Sequence, residues 1–131
     1  MMVAPPLVPV SFGELVDKIT ILEIKRARIV DPSKRAHVEV ERQALEAALD
    51  ASGIDQSRIS ALRSSLKSVN ERLWQIEDEI RDCERQQDFS ARFVALARSV
   101  YRENDRRAAL KREINGLLDS PLHEEKSYRP Y

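Results

Sequence analysis

The chain has 131 residues, enough for one domain with its own core, and only three of them are glycine. Its 22 basic and 22 acidic side chains cancel, which argues against binding nucleic acid or another polyanion through a broad basic surface. Cys83 is the single cysteine, so an internal disulfide and a cysteine zinc cage are both excluded.

The first ten residues are apolar and include three prolines. They are too short to cross a bilayer, and they lack the basic start of an export signal. No later stretch has the length and apolarity of a membrane span. We therefore expect a protein of the cytoplasm that has no membrane partner.

A first helix is predicted at 12–30. Ser11 and Glu14 form a capping-box pattern, in which the hydroxyl and the carboxylate satisfy free backbone N–H groups at the helix start. Apolar residues occur on two faces of this helix, so it should contact more than one neighbour. Glu23 and Arg26 fall on the same face as one of the apolar stripes.

A second helix is predicted at 33–50. Asp31 is a typical N-cap, and Pro32 suits the first helical position because its missing N–H is not needed there. Gly53 is typical of the residue that stops a helix.

The most regular pattern in the sequence predicts a third, long helix at 57–85. Eight apolar residues recur there at alternating spacings of three and four, as in a helix that packs along a partner helix. At about 1.5 Å per residue this helix would be about 40 Å long. Cys83 belongs to the repeat, so we expect a packed thiol rather than a reactive one. The repeat consists of Ile59, Leu62, Leu66, Val69, Leu73, Ile76, Ile80 and Cys83.

A fourth helix is predicted at 89–118, with Asp88 as its cap. The connection at 86–88 is so short that the third and fourth helices should form an antiparallel hairpin. The expected fold class is therefore all-α: a long, coiled-coil-like hairpin packed with the two shorter helices in a single domain that spans 1–131. The tail at 119–131 is polar, but two tyrosines give it area to bury, so we expect it to dock on the bundle.

Polar residues interrupt the packing pattern of the fourth helix. Its inward positions are apolar at both ends, but Asn104, Arg107 and Lys111 occupy the middle. An unpaired buried charge costs several kcal/mol. Either these side chains are solvated or ion-paired, with Glu23 or Glu77 as candidate partners of Arg107, or they form a binding site across the bundle.

A polar stripe runs beside the apolar repeat of the third helix and contains Trp74, the only tryptophan. Either this ring packs under the first helix with its indole N–H bonded to a carboxylate, or it belongs to a binding surface. The polar inward positions of the three helices together give the candidate ligand-binding residues Glu23, Arg26, Asn70, Trp74, Glu77, Arg81, Asn104, Arg107 and Lys111.

The sequence contains no recognised catalytic pattern. His37 and His123 lack the spacing of metal ligands, so no metal site is expected. No glycine-rich phosphate loop or nucleophile motif occurs, so no cofactor is expected either. Catalytic residues cannot be assigned, and whether the chain is an enzyme stays open.

Four segments of the chain resemble an uncharacterised bacterial family of small helical domains. They read SFGELVDKITILEIKRARI at 11–29, VNERLWQIEDEIR at 69–81, FVALARSVYRENDRRAALKREIN at 93–115 and EEKSY at 124–128. Members of that family stand alone or accompany glycosyltransferase-like and tetratricopeptide segments. The resemblance implies a link to the assembly of bacterial surface glycans, and it supplies no catalytic residue.

Two functions remain open from the sequence. The first is an interaction or accessory protein that associates with itself or with another helical protein. The second is a small all-α enzyme or binding module for an anionic metabolite, in the style of the all-helical chorismate mutases, with Arg26, Arg107, Lys111 and Glu77 around the ligand. A pocket lined by these charges would favour the second function, and a filled core with the charges paired would favour the first.

Overall fold

The structure, a computed structural model of the chain, describes residues 3–131. It confirms the all-α fold class, since this part of the chain contains four helices and no strand. None of these helices combines the length and apolarity needed to cross a membrane. The helices are α1 (Phe12–Arg28), α2 (Pro32–Ala51), α3 (Ser60–Gln86) and α4 (Ala91–Leu117), with a 3-10 turn at Gln56–Ile59 before α3.

The predicted capping box at the start of α1 is only half formed. The Ser11 Oγ accepts a hydrogen bond from the Glu14 backbone N–H at 3.1 Å, as an N-cap should. The Glu14 carboxylate instead accepts a bond from the Lys111 ammonium on α4, at 2.6 Å. Glu14 therefore ties α1 to α4 as well as belonging to the first turn of its own helix.

The boundary between α1 and α2 differs from the prediction by two residues. α1 ends at Arg28 rather than at 30, because Ile29 already has extended backbone angles. α2 begins as predicted, with Pro32 at its first position and the Asp31 side chain accepting a bond from the Lys34 N–H at 3.1 Å. A residue that precedes proline avoids the helical region, which forces the chain out of α1 before Asp31.

The hairpin between α3 and α4 turns at residues 87–90. Gln87 has a left-handed φ of +54° and ends α3. Ser90, not Asp88, is the N-cap of α4, so the predicted cap is wrong by two residues. The Asp88 Oδ1 accepts a bond from the Ser90 N–H at 3.0 Å and so shapes the turn that precedes the helix.

Contacts along the hairpin show that α3 and α4 are antiparallel. Near the turn, the Arg92 guanidinium lies 3.5 Å from the Cys83 Sγ. Farther from the turn, Arg72 of α3 donates to Glu103 of α4 at 3.1 Å. In an antiparallel pair, residues farther before the turn contact residues farther after it, as these two contacts do. Cys83 is fully buried on this seam, as predicted for a packed thiol.

The core lies at the end of the hairpin that is remote from its turn. Half of the α3 repeat is buried, and the other half is partly covered. The central cluster takes residues from every helix and from the 3-10 turn, so all four helices converge there. Its fully and nearly buried members are Leu15, Val16, Ile19, Leu49, Ile59, Leu66 and Ile114.

A glycine sets the register between α1 and α4. A Cβ added at Gly13 would lie 2.5 Å from the Lys111 carbonyl oxygen, so only glycine fits there without a shift. The Asn115 Oδ1 accepts a bond from the Gly13 N–H at 2.7 Å. Gly13 lies against Lys111 and the two helices run in opposite directions, so Asp17, one turn along α1, lies opposite Arg107, one turn back along α4.

Candidate functional site

A fully buried carboxylate, Asp17, lies between α1, α3 and α4. The Arg107 guanidinium donates to both of its oxygens, with Nε at 2.9 Å from Oδ1 and Nη2 bonded to Oδ2. The Asn70 Nδ2 donates to the same Oδ1 at 2.9 Å. The predicted partners of Arg107, Glu23 and Glu77, are therefore wrong. The two-bond geometry with Asp17 raises the pKa of Arg107 above its ordinary value, although burial opposes this.

Lys111 also has its charge neutralised from within the chain. Its side chain is only 7% exposed, and its Nζ lies 2.6 Å from Glu14, 2.5 Å from Glu124 and 3.9 Å from Asp17. Burial disfavours the charged ammonium, but the hydrogen bonds that it donates to Glu124 and Glu14 outweigh this effect and raise the pKa of Lys111. Asn104, the third polar position of this seam, is half-buried.

Glu23 belongs to a different network, which joins α1 to α3. Arg63 donates to its Oε1 at 2.7 Å, and Lys67 donates to its Oε2 at 3.0 Å. Burial opposes ionisation of Glu23, but these two bonds hold its pKa below the ordinary value. Arg26 is exposed and pairs with Glu39 of α2 at 3.5 Å. Neither Glu23 nor Arg26 therefore joins the group around the buried carboxylate. We call that group the Asp17 cluster, and it consists of Glu14, Asp17, Asn70, Arg107, Lys111 and Glu124.

An open groove of about 430 Å³ lies beside the Asp17 cluster, between α1 and α3. We call it the Trp74 groove. It brings together five of the nine predicted site residues and leaves Glu23, Arg26, Asn104 and Lys111 outside. Apolar residues of both helices line it together with the polar stripe of α3 and one side chain of α4: Ile21, Ile24, Leu73, Trp74, Asn70, Glu77, Asp78, Arg81 and Arg107.

Trp74 lines the groove instead of being sealed under α1. Its side chain is half-buried, and the Arg28 guanidinium lies 5.9 Å from the ring centre. The predicted carboxylate partner for the indole N–H is not among its contacts within residues 3–131, so that interpretation is wrong. A cation over the ring is attracted by the negative face of the aromatic system.

The groove offers apolar surface, and its two cations are already paired. Arg107 binds Asp17, and Arg81 donates to Glu77 at 2.8 Å on the exposed rim. An anion bound to Arg107 or Arg81 would compete with these carboxylates, whereas an apolar segment could cover the floor and leave both pairs intact. The arrangement is therefore suited to binding an apolar chain segment.

Sequence reasoning missed three acidic residues of the Asp17 cluster, namely Asp17, Glu14 and Glu124. A signal for Asp17 was present, because it lies four residues before Ile21 on the second apolar face of α1. Glu14 was assigned to the helix start alone. Glu124 lies in the tail, where no periodic pattern indicates a neighbour.

The tail contacts the bundle at separate points. Glu124 reaches Lys111, and the Tyr131 ring centre lies 4.8 Å from that of Tyr101 on α4. Ser120 is buried at the start of the tail. The side chains of 121–131 otherwise remain exposed, so the tail lies on α4 through polar and aromatic contacts with little apolar burial.

The Glu124 contact predicts a pH-dependent stability. Its bond with Lys111 holds the pKa of Glu124 below 4.5, so the contribution is complete above about pH 5 and disappears as the pH falls through the lowered pKa. Glu124→Gln should remove no more than about 1 kcal/mol at neutral pH, because the side chain is 41% exposed and water screens the pair. Chemical unfolding of both proteins across pH measures this.

Glu125→Gln is the matched control, since Glu125 is an exposed neighbour with the same chemistry. It should leave the pH profile unchanged. A Glu124→Gln protein whose stability follows the native profile down to pH 3 would show that the tail contact contributes nothing.

Comparison with known proteins supplies no further guide to the site. No protein-family model, no curated protein and no solved structure matches the chain.

Proposed function

We propose that this chain is a self-associating interaction module, in which the Trp74 groove of one copy binds the N-terminal arm of a second copy. We define the arm as residues 3–10. The observation that carries the proposal is that one chain presents both an apolar, aromatic-lined groove and an exposed apolar segment, and neither is covered by the rest of residues 3–131.

The arm exposes several apolar side chains close together. It has no charged residue, and Leu7 is 95% exposed while Val8 is 71% exposed. Val3 and Val10 are exposed as well. Contiguous apolar surface of this kind is typical of an interaction segment.

The chemistry of the arm matches the groove. Its three prolines favour the extended polyproline conformation, which needs no internal hydrogen bonds and loses little entropy on binding. Grooves with aromatic residues are a common receptor for such segments. Because the arm is uncharged, it can cover Trp74 and Leu73 without separating the Arg107–Asp17 pair beside them.

The arm that occupies a groove should come from a second copy rather than from the same chain. To reach its own groove, the arm would have to reverse direction immediately before α1 and run back along it. Pro9 fixes its own φ and holds Val8 extended, and Ser11 is already an extended N-cap with φ −68° and ψ 156°. These restraints oppose a tight reversal, whereas exchange between two copies needs none.

The area involved suits a dimer. An eight-residue arm exposes about 1,100 Å² when extended. If each of two arms buries about half of that, together with a similar area of groove, the exchange buries about 2,000 Å² in total, the range of stable interfaces. Reciprocal exchange also gives the closed two-fold symmetry that most homo-oligomers adopt.

Sedimentation of two complementary variants tests the proposal. Leu7→Asp damages the arm, and Trp74→Ser damages the groove. Burial of Leu7 is worth about 1.5–3 kcal/mol at each of two contacts, so Leu7→Asp should raise the dimer Kd at least about 100-fold. Each variant alone should be monomeric, whereas an equimolar mixture retains one intact contact and should form a heterodimer.

The control is Val40→Asp on α2, which places the same charge on another exposed apolar residue and should leave the dimer intact. Trp74 gives a second readout, because it is the only tryptophan and its emission should shift to shorter wavelength as the native chain dimerises. A native chain that stays monomeric up to about 0.1 mM, or a mixture that does not associate, would contradict the proposal.

The expected link to surface-glycan assembly depends on the sequence resemblance alone and stays a prediction. As an accessory protein of that kind, a self-associating chain would bring two copies of an attached partner together. The alternative function, an anion-binding module built on Arg26, Arg107 and Lys111, loses support because each of these cations already has a carboxylate partner.

A further inference from the structure

A second cleft, of about 700 Å³, lies between α4 and the last residues of the tail. We call it the tail cleft. It is separate from the Trp74 groove and from the Asp17 cluster, and it shares no lining residue with the groove. The side chains that matter for its chemistry are aromatic and basic, with one carboxylate: Tyr101, Tyr131, Arg112, Lys126, Arg129 and Asp105.

The three cations of the tail cleft are not neutralised by the protein. Within residues 3–131, no carboxylate lies within 4 Å of the charged nitrogens of Arg112, Lys126 or Arg129. Lys111, the residue before Arg112, has two close carboxylates and one more distant. The cation that faces the core is therefore paired, whereas the three cations of the cleft have no carboxylate partner in the part of the chain that the structure describes.

The single acidic residue of the lining does not offset this charge fully. The Asp105 carboxylate beside the Tyr131 hydroxyl raises the pKa of that tyrosine above its ordinary value. Three cations against one carboxylate leave an excess of positive charge in the cleft. Guanidinium groups with free donors bind phosphate oxygens in pairs, and an ammonium adds a compact charge.

Three tyrosines line the cleft, and two of them, Tyr101 and Tyr131, form the other wall. The third, Tyr128, lies beside Lys126, whose Nζ is 6.0 Å from the ring centre. The ring centres of Tyr101 and Tyr131 lie 4.8 Å apart with their planes tilted by 58°. Both rings are exposed to solvent at the cleft. Exposed aromatic faces bind flat heterocyclic rings by stacking, with little dependence on which base is offered.

We infer that the tail cleft binds a nucleoside diphosphate, with its base against the tyrosines and its phosphates on Arg112, Lys126 and Arg129. The base and the phosphates of the ligand each match a different part of the lining. A simple inorganic anion would leave the aromatic wall unused, and a neutral sugar or nucleoside would leave the cations unused. The volume lies within the range of about 300–1,000 Å³ that is usual for sites of small molecules.

Isothermal titration calorimetry on the full chain tests the inference with three probes. Uridine diphosphate should bind, whereas pyrophosphate and uridine should each bind at least about tenfold more weakly, because each lacks half of the contacts. The affinity for uridine diphosphate should fall as salt is added, since the phosphates meet exposed cations.

Two variants separate the two walls. Arg112→Gln should weaken uridine diphosphate and pyrophosphate alike, by at least about tenfold, because it removes a charged hydrogen-bond donor. Tyr101→Leu should weaken uridine diphosphate by a similar factor and leave pyrophosphate unchanged. Arg98→Gln is the control, since Arg98 is an exposed cation of α4 that lies outside the cleft, and it should change neither affinity.

Two results would overturn the inference. One is the absence of uridine diphosphate binding at millimolar concentration. The other is equal affinity for uridine diphosphate and pyrophosphate that Tyr101→Leu does not alter, which would mean that the tail cleft is a general anion patch. All substituted residues are surface-exposed, so circular dichroism should show native helix content in each variant.

Discussion

Arg107→Leu should lower the free energy of unfolding by about 3 kcal/mol at neutral pH. The substitution leaves the buried Asp17 carboxylate without the guanidinium that binds both of its oxygens. Removal of one partner from a buried pair costs about 3–5 kcal/mol. The lower end is expected here, because Asn70 still donates to Asp17 and the Lys111 ammonium lies 3.9 Å away. Urea unfolding at pH 7 measures the loss.

A matched control tests the cause. Arg106→Leu makes the same change at an exposed position, where, within residues 3–131, the guanidinium pairs with Glu103 one turn away, which is worth less than about 1 kcal/mol. An Arg107→Leu protein as stable as the native chain at pH 7 would show that Asp17 is not buried as the structure describes.

Leu66→Ala should lower the free energy of unfolding by about 2–5 kcal/mol. Leu66 is fully buried in the cluster where all four helices and the 3-10 turn converge. Truncation there loses the transfer energy of the removed carbons and leaves a cavity that these rigid elements cannot readily close. Because Leu and Ala both favour helix, the change in helix propensity is small beside the packing loss.

Leu117→Ala is the matched control for the packing term. It makes the same chemical change in a helix, but Leu117 is 42% exposed, so the loss should be below about 1 kcal/mol. Thermal and urea unfolding should show a larger loss of stability for Leu66→Ala than for Leu117→Ala. A Leu66→Ala protein that loses less than about 0.5 kcal/mol would mean that the α3 repeat does not face the core.

The helices themselves could be predicted because their signals are local. Asp31 and Pro32 begin α2, and the eight-residue repeat spans nearly all of α3. Caps and periodicity act over one or two turns, so the sequence contains them in full. The predicted boundaries are wrong by one to three residues where the signal is weaker, as at Ser90, whose side chain makes no capping bond.

The sequence also indicated which helix faces carry unusual polar residues. Five of the nine predicted site residues line the Trp74 groove. Periodicity identifies the face of a helix on which a residue lies, and this sufficed to select the stripe from Asn70 to Arg81. It does not identify the opposing residue, so the partner proposed for the Trp74 indole was wrong.

Only the tertiary structure decided which charges meet. Periodicity leaves the axial position of one helix against another undetermined, and a shift of one turn would exchange the partners of Arg107. The register is set by Gly13, whose missing Cβ lets α1 approach the Lys111 carbonyl and thereby places Asp17 opposite Arg107. Glu23 lies on the side of α1 that faces α3, where it meets Arg63. Local sequence therefore determined the helices and their polar faces, whereas the packing of the helices against one another determined the ion pairs between them.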